Sequence, residues 1–338
     1  MKHIVTLSGI VLLGLMACKQ EKKEAIKEAE AVEVVAAAPY AEISIKEGGT
    51  WEDGPRGHKE YIGGTFKNVE KMTVPEEHTD HSWYIRYEGP GWENKNVGYR
   101  LYLDWRNAID IYGKKVDSLV LPYVGQDGFD SYHEMSDWGL DILKAGKSMG
   151  IGGYGQFVND SVVHFQKVGN TMASVESGKD VATVTIDYKD WEAADITTDL
   201  KATLSIYPED RFTKAELKPS VTFSGLSTGI VKFDHIPVKS KTSADGKWGY
   251  IATYGNQTLV NDTDLLGMAV FYKMDELDKL VEGPHDHLVV FKPTTSGITY
   301  YFLGAWEQEL NGITNEADFF KDLDSKLEQL DQKGTLEQ

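Results

Sequence analysis

The sequence contains a single cysteine, Cys18, among its 338 residues. An intramolecular disulfide is therefore impossible, and the fold must be stabilised by its core alone. Basic residues are also scarce, since 35 lysines and arginines stand against 53 acidic residues. This imbalance argues against nucleic acid or an anionic membrane surface as a partner, and any anionic ligand would need a local basic cluster.

The N-terminus has the pattern of a bacterial lipoprotein signal. A short basic start at residues 1–3 precedes an apolar run at 4–15, which is shorter than the roughly 20 residues of a membrane span. Small residues then lead to Cys18, so the sequence predicts a signal peptide over 1–17 and acylation of Cys18. We expect a cell-envelope protein that this lipid anchors to a membrane, with a charged flexible tether over 18–39.

Residues 40–333 predict one large domain without an internal linker or repeat. Apolar and polar residues alternate with period two at 97–104 and in many other short segments, as in half-buried strands. The further strand candidates are 62–74, 82–88, 108–113, 161–167, 182–188, 199–207, 211–218, 229–236, 248–254, 266–273, 287–292 and 298–305. They predict an all-β fold, a large antiparallel β-sandwich. After Asn315, helical spacing of apolar residues predicts a C-terminal α-helix, and a weaker helical turn is expected at 138–145.

Three arginines are candidates for holding an anionic group, and an aspartate on the same face is a further candidate for substrate binding. If 82–88 and 98–104 form a hairpin, Arg86 lies opposite Arg100 on the polar face, and Asp104 and Arg106 continue that face. Like charges directly opposite destabilise a sheet unless an anion lies between them. The anion is either a ligand carboxylate or sulfate, or a set of protein carboxylates that includes Glu88, Asp104 and Asp110, and the sequence leaves both open.

The segment 132–138 is rich in groups that transfer protons. His133 is a candidate general base or acid near neutral pH. Tyr132, Asp137 or Asp141 would orient it or carry the second proton. The alternative is a purely structural histidine.

Other histidines are weaker candidates. His78, Asp80 and His81 resemble half of a metal site but lack a second ligand pair at diagnostic spacing, so a divalent metal is possible and none is required. His81 could instead lie at the mouth of the arginine face. His58, in a glycine-flanked loop, is a further candidate for substrate binding, and residues 285–287 are interpreted as a turn that leads into a strand.

A glycine run and several tryptophans complete the set of candidates. Residues 150–155 match GxGxxG, but they have no βαβ context, so we interpret them as a loop and not as a dinucleotide site. The chain has eight tryptophans. Trp92, Trp138 and Trp306, together with Trp105, are candidates for stacking on pyranose rings.

Several of these segments together resemble a family of bacterial lipoproteins catalogued as a domain of unknown function and found in marine polysaccharide-utilisation loci. The segments are YEGPGWE at 87–93, GYR at 98–100, RNAID at 106–110, SYHEMSDWG at 131–139 and AWEQ at 305–308. The resemblance covers nearly all of the chain after the tether. It implies a β-supersandwich like that of galactose mutarotases, and the activity of an oligosaccharide dehydratase acting on ulvan fragments.

The expected reaction removes water across C4–C5 of a uronate at the non-reducing end of an anionic oligosaccharide. The arginines would neutralise the carboxylate, His133 or His81 would take the C5 proton, and Tyr132 would protonate O4. The alternatives are a polysaccharide lyase or epimerase acting on uronates, and a surface glycan-binding lipoprotein without catalysis. The sequence sets no oligomeric state.

Overall fold

The computed structural model describes residues 38–128, 130–194 and 196–337. The predicted signal peptide, the predicted lipid anchor at Cys18 and the predicted tether up to residue 37 lie outside the described residues. Within them, no helix is both long and apolar enough to cross a membrane.

The described residues form twenty strands, three short 3-10 turns and one α-helix. The strands are β1 Tyr40–Asp53, β2 Lys59–Val69, β3 Lys71–Thr73, β4 Gly91–Glu93, β5 Val97–Leu101, β6 Ile109–Lys114, β7 Gly139–Asp141, β8 Ile151–Val158, β9 Ser161–Val163, β10 Asn170–Ser177, β11 Ala182–Ala193, β12 Ile196–Ile206, β13 Thr213–Pro219, β14 Leu226–Val231, β15 Lys239–Thr242, β16 Trp248–Asn256, β17 Leu265–Lys273, β18 Leu277–Glu282, β19 Asp286–Phe291 and β20 Ile298–Trp306. The 3-10 turns are Arg86–Glu88, Leu121–Tyr123 and Asp130–His133, and the helix is α1 Glu316–Lys333.

The strands pair in antiparallel fashion within three sheets. The six-stranded sheet has the order β2-β1-β4-β5-β6-β7, the nine-stranded sheet β15-β16-β17-β20-β13-β12-β11-β10-β3, and the five-stranded sheet β18-β19-β14-β8-β9. One apolar core contains buried side chains from all three sheets. The all-β fold class, a large antiparallel sandwich with a C-terminal helix, is therefore confirmed.

The alternation of side chains in the nine-stranded sheet explains where the helix lies. In β17, Met268 and Val270 face the sandwich core, whereas Ala269 and Phe271 belong to a second cluster with helix residues such as Phe319. Successive strand residues point to opposite faces, so the same strand serves both clusters. The helix begins after Asn315, whose side chain accepts a hydrogen bond from Asp318 N, as an N-cap does.

The segment 82–88 is not a strand, and this prediction was wrong. It ends in a 3-10 turn, and Trp83, Tyr87 and Glu88 have φ values of 63°, 42° and 70°. This left-handed region costs an L-residue roughly 1–2 kcal/mol and breaks strand geometry. The predicted pairing of Arg86 with Arg100 was also wrong, because Arg100 lies opposite Gly91 and Asp110.

Two local predictions on the C-terminal side of this region were also wrong. The helical turn expected at 138–145 is replaced by β7, which pairs with β6. The glycine run is the beginning of β8 and not a loop. Gly152 has a φ of 69°, and a Cβ there would come within 2.2 Å of the Phe302 ring. The glycines therefore allow β8 to lie close to the nine-stranded sheet.

Candidate functional site

Arg100 is the centre of a buried polar cluster on the six-stranded sheet. Its guanidinium donates to Asp141 at 2.5 Å, to Asp110 at 3.1 Å and to the Tyr102 hydroxyl at 2.5 Å. Its Nη1 donates to the Tyr132 hydroxyl at 2.9 Å. Two carboxylates of the protein therefore already balance the charge of Arg100. This agrees with the alternative in which the anion beside Arg100 is a protein carboxylate and not a ligand.

Arg106 forms a second charged cluster beside the first. It donates through Nε to Asp104 at 3.0 Å and through Nη2 to Asp80 at 3.1 Å, and Nη2 lies 3.4 Å from Glu88. Its guanidinium stacks 3.7 Å above the centre of the Tyr102 ring. Because the Arg100 guanidinium lies 4.5 Å from the centre of the same ring, the two clusters are contiguous.

Arg86 is paired as well. Its guanidinium contacts the Glu42 carboxylate, and Nη2 also donates to the Leu121 carbonyl at 3.3 Å. The Tyr87 hydroxyl donates to the same Glu42 oxygen at 2.6 Å. Each of the three predicted arginines thus has a carboxylate partner.

Glu88 is a buried acid beside the Arg106 cluster, and its pKa is strongly raised. Its Oε1 accepts a hydrogen bond from the His81 backbone N–H at 2.8 Å, while Oε2 has no hydrogen-bond partner among the described residues. Burial raises the pKa of Glu88 from 4.5 to about 7, although Arg106 and Arg100 oppose the rise. A carboxyl group with this pKa exchanges a proton near neutral pH.

Glu88 lines a cleft of about 420 Å³, which we call the Glu88 cleft. Strands β1 and β2 contribute Lys46 and residues 64–66 to one wall. The other walls come from residues 83, 85–88, 125–128 and 132. The cleft therefore brings an acid, a phenol, a cation and aromatic rings together, as ligand sites commonly do.

Tyr132 faces the Glu88 cleft from the last of the 3-10 turns. Burial raises the pKa of Tyr132, and the neighbouring Arg100 partly offsets that rise. The Arg100 N–H donates to the phenolic oxygen, so it would stabilise negative charge there if the proton were transferred.

His133 lies beside Tyr132, with ring centroids 4.6 Å apart, and its side chain is 31% exposed. His133 Nδ1 lies 3.4 Å from Asp141 Oδ2. Burial raises the pKa of Asp141, Arg100 opposes the rise, and nearby Asp110 adds to it. Of the three predicted partners of His133, Tyr132 and Asp141 are adjacent, whereas Asp137 is exposed.

The predicted metal half-site has a different composition. His78 is buried and bonds Ser82 Oγ at 2.7 Å, and burial lowers the pKa of His78 to about 4. The ligand atoms of Asp80, His81 and Glu88 lie within 4.8 Å of one another. Arg106 contacts Asp80 and Glu88 in this group, so a cation of the protein already supplies positive charge there.

His58 supports the loop that carries His81. Its Nε2 lies 3.4 Å from the His81 carbonyl oxygen and 3.5 Å from Glu60 Oε1. His81 in turn contacts Asp80 at 2.5 Å through Nδ1. These contacts hold the 78–81 loop beside Glu88, and substrate contact by His58 or His81 stays a prediction.

Two of the predicted sugar-stacking tryptophans are unavailable, and that prediction was wrong. Trp92 and Trp306 are completely buried. Their indole N–H groups donate to Thr213 and Asp264 inside the protein, at 2.9 Å and 2.6 Å. Trp138 is half-buried against the edge of Tyr112, and its role stays a prediction.

Sequence reasoning did not select Glu88 as a proton carrier, nor Lys46 and Trp83 as cleft residues. The sequence presents Glu88 only as one of the carboxylates that could lie between the arginines, and Trp83 only as part of the expected strand over 82–88. Lys46 lies in β1, far from the other cleft residues in sequence, and has no carboxylate partner among the described residues. Only its position opposite Phe66 across β1 and β2 brings it to the cleft.

Comparison with known proteins identifies the family. No curated protein matches the sequence. A solved structure of a TPR-domain containing protein from Parabacteroides distasonis ATCC 8503 matches with a TM-score of 0.34 and 8% identity, over 79% of this chain and 54% of that chain. The chain thus spans about half the length of that protein, and the similarity is too low to bear on fold or function. The family described as "Domain of unknown function (DUF4861)" matches residues 8–335, and the chain belongs to this family.

Proposed function

We propose that the protein is a carbohydrate-active dehydratase. Its substrate would be an oligosaccharide that carries a uronic acid at the non-reducing end, and its reaction would remove water across C4–C5 of that residue. The observation that carries the proposal is Glu88, a buried carboxyl group with a pKa of about 7 and one oxygen without a partner among the described residues, in a cleft that also contains Tyr132.

Glu88 is the proposed base. The C5–H bond breaks, the proton moves to the Glu88 carboxylate, and the electron pair forms the C4–C5 double bond. Burial raises the pKa of Glu88 and so makes its carboxylate a stronger base. The difference in pKa between Glu88 and the C5–H group is then smaller, which favours proton transfer. His133 is the second candidate, and Glu88 is favoured because Glu88 and Tyr132 both line the cleft.

Tyr132 is the proposed acid. It would protonate O4 as the C4–O4 bond breaks, so the leaving group departs as water. The Arg100 N–H that donates to the Tyr132 oxygen at 2.9 Å would stabilise the phenolate left behind. The Glu88 proton and the tyrosinate then return to the starting state by exchange with solvent.

Lys46 is the proposed contact for the substrate carboxylate. Abstraction of the C5 proton places negative charge next to that carboxylate, and a cation lowers the cost of this charge. The three arginines are paired with carboxylates, whereas Lys46 has no such partner among the described residues. Trp83 and Phe66, which also line the cleft, offer apolar surface to the sugar ring.

Incubation with uronate-terminated oligosaccharides of ulvan type tests this reaction. Dehydration produces an ultraviolet-absorbing unsaturated uronyl end and the loss of one water mass without shortening the chain. A lyase would shorten the chain, an epimerase would leave the mass unchanged, and a binding protein would leave the substrate intact. Any of these three outcomes would overturn the proposal.

We also propose that Cys18 anchors the protein to a membrane of the cell envelope. The support is the sequence alone, with its short basic start, its apolar run over 4–15 and the small residues before the cysteine. The full chain is expected in the detergent phase of an envelope extract, and Cys18→Ser in the aqueous phase. Equal partitioning of both proteins would contradict the anchor.

A further inference from the structure

A second, smaller cleft includes Trp105, the residue before Arg106. It has a volume of about 170 Å³, and its lining includes Trp105, Lys147, His164 and Asp286. The cleft joins the segment before Arg106 to the start of β19, so it combines parts of the chain that are distant in sequence. None of its lining residues belongs to the Glu88 cleft.

Trp105 is a fixed aromatic surface at this cleft. The residue is 37% exposed, whereas Trp92 and Trp306 are buried. The His164 ring meets it edge-on at 5.7 Å, and His164 Nδ1 is within 2.7 Å of the Arg106 carbonyl oxygen. The Trp105 carbonyl also accepts the Phe165 N–H. The His164 contact thus supports one side of the indole and the backbone hydrogen bond positions the residue, while part of the Trp105 surface faces solvent.

Asp286 supplies a hydrogen-bonding group in the same cleft. Its Oδ1 accepts the Met149 backbone N–H at 2.9 Å, and the other oxygen has no hydrogen-bond partner among the described residues. The residue is 2% exposed and has no ion pair within the described part of the chain. Since Asp286 lines the cleft, its second oxygen can accept a hydrogen bond from a ligand hydroxyl while the first remains bonded to Met149.

We propose that the Trp105–Asp286 cleft binds one neutral pyranose residue of a glycan. The apolar face of the ring would stack on Trp105, and a hydroxyl would donate to Asp286 Oδ2, with Lys147 and His285 at the rim. The volume is below the roughly 300 Å³ at which pockets for larger ligands begin, so it suits a single ring. A carboxylated sugar is disfavoured because Asp286 would repel its charge when ionised.

Saturation-transfer NMR on the intact protein tests this cleft with the methyl glycosides of glucose, galactose, mannose, xylose and rhamnose. At least one neutral probe is expected to bind the native protein. Trp105→Ala is expected to weaken that binding about tenfold, and so is Asp286→Asn, whose amide oxygen can still accept from Met149. Binding should persist in Glu88→Gln, and this result would separate the cleft from the proposed catalytic one. It should also persist in the control Tyr123→Ala, which removes the aromatic side chain of a residue that is 76% exposed.

Three results would overturn the inference. The first is that no neutral probe shows saturation transfer from the native protein. The second is that Trp105→Ala leaves the binding unchanged, and the third is that Glu88→Gln abolishes it. Loss of dehydratase activity, or its absence, does not bear on this cleft, because the assay measures binding of a neutral probe alone.

Discussion

Arg106 Nη2 lies 3.4 Å from Glu88 Oε1, and yet burial raises the pKa of Glu88 to about 7. The guanidinium is shared with Asp80 and Asp104, so much of its charge is already compensated. The carboxyl group therefore changes protonation near neutral pH and does not remain a permanent anion.

Turnover is expected to rise with pH through about 7, because the proposed base acts only when Glu88 is ionised. Glu88→Gln should reduce kcat by about 10²-fold or more. The matched control is Glu309→Gln, since Glu309 is also a buried acid whose pKa is raised to about 7, with Arg211 as its partner. It should lose stability and keep its activity per folded molecule. Equal loss of activity in both variants would remove Glu88 from the reaction.

The same pKa shift predicts how Glu88 affects folding. The native pKa of Glu88 is above the usual 4.5, so the native state holds the proton more tightly than the unfolded state. The resulting stabilisation is complete below about pH 4.5 and is lost as the pH rises through about 7. Urea unfolding of Glu88→Gln should therefore show a flatter dependence on pH over this range. An unchanged dependence would contradict the raised pKa.

Removal of the Tyr132 hydroxyl should abolish most turnover and cost about 1 kcal/mol of stability, because Arg100 Nη1 loses one acceptor. Tyr112→Phe is the control. Tyr112 is equally buried beside Arg100, but its hydroxyl has no hydrogen-bond partner among the described residues. Steady-state kinetics of the two variants should therefore differ by orders of magnitude. Similar kinetics would show that the phenol is not the acid.

Lys46→Gln should raise KM for a uronate-terminated substrate and lower kcat, because the charge that meets the carboxylate is lost. Lys46→Arg should recover part of both. Lys67→Gln is a control on the neighbouring strand, where an exposed lysine pairs with Glu47 at 3.2 Å. Kinetics across a range of salt concentrations should show a weaker salt dependence in Lys46→Gln alone. An unchanged KM would exclude Lys46 as the carboxylate contact.

Arg100→Met should lower the free energy of unfolding by about 3–5 kcal/mol, because Asp110 and Asp141 lose their shared buried partner. Arg56→Met should change it by less than about 0.5 kcal/mol, since the Arg56 side chain is 50% exposed and lies 4.0 Å from its acid. Urea titrations measure both. Full stability in Arg100→Met would indicate that Arg100 is free to bind substrate.

Local patterns in the sequence were sufficient to predict the strands and the helix whose conformation is set by residues close together in the sequence. Alternation at 97–104 predicted β5, and the spacing after Asn315 predicted α1, because side-chain direction follows directly from backbone period. Alternation failed at 82–88, where the apolar residues satisfy the pattern while Trp83 and Tyr87 have positive φ values. Contacts with distant parts of the chain, such as those of Arg86 and Tyr87 with Glu42, maintain that conformation. The alternation of apolar and polar residues does not reveal such contacts.

The sequence by itself determined the all-β class, the closing helix and the region in which titratable groups gather. Tertiary structure decided which charges are already neutralised. Asp141 reaches Arg100 from 41 residues away and Glu42 reaches Arg86 from 44 residues away, so only the fold shows that these arginines are occupied. It also decided that Glu88 is buried and that Lys46 lies across the same cleft. Burial and pairing control charge, and both are properties of the packed chain.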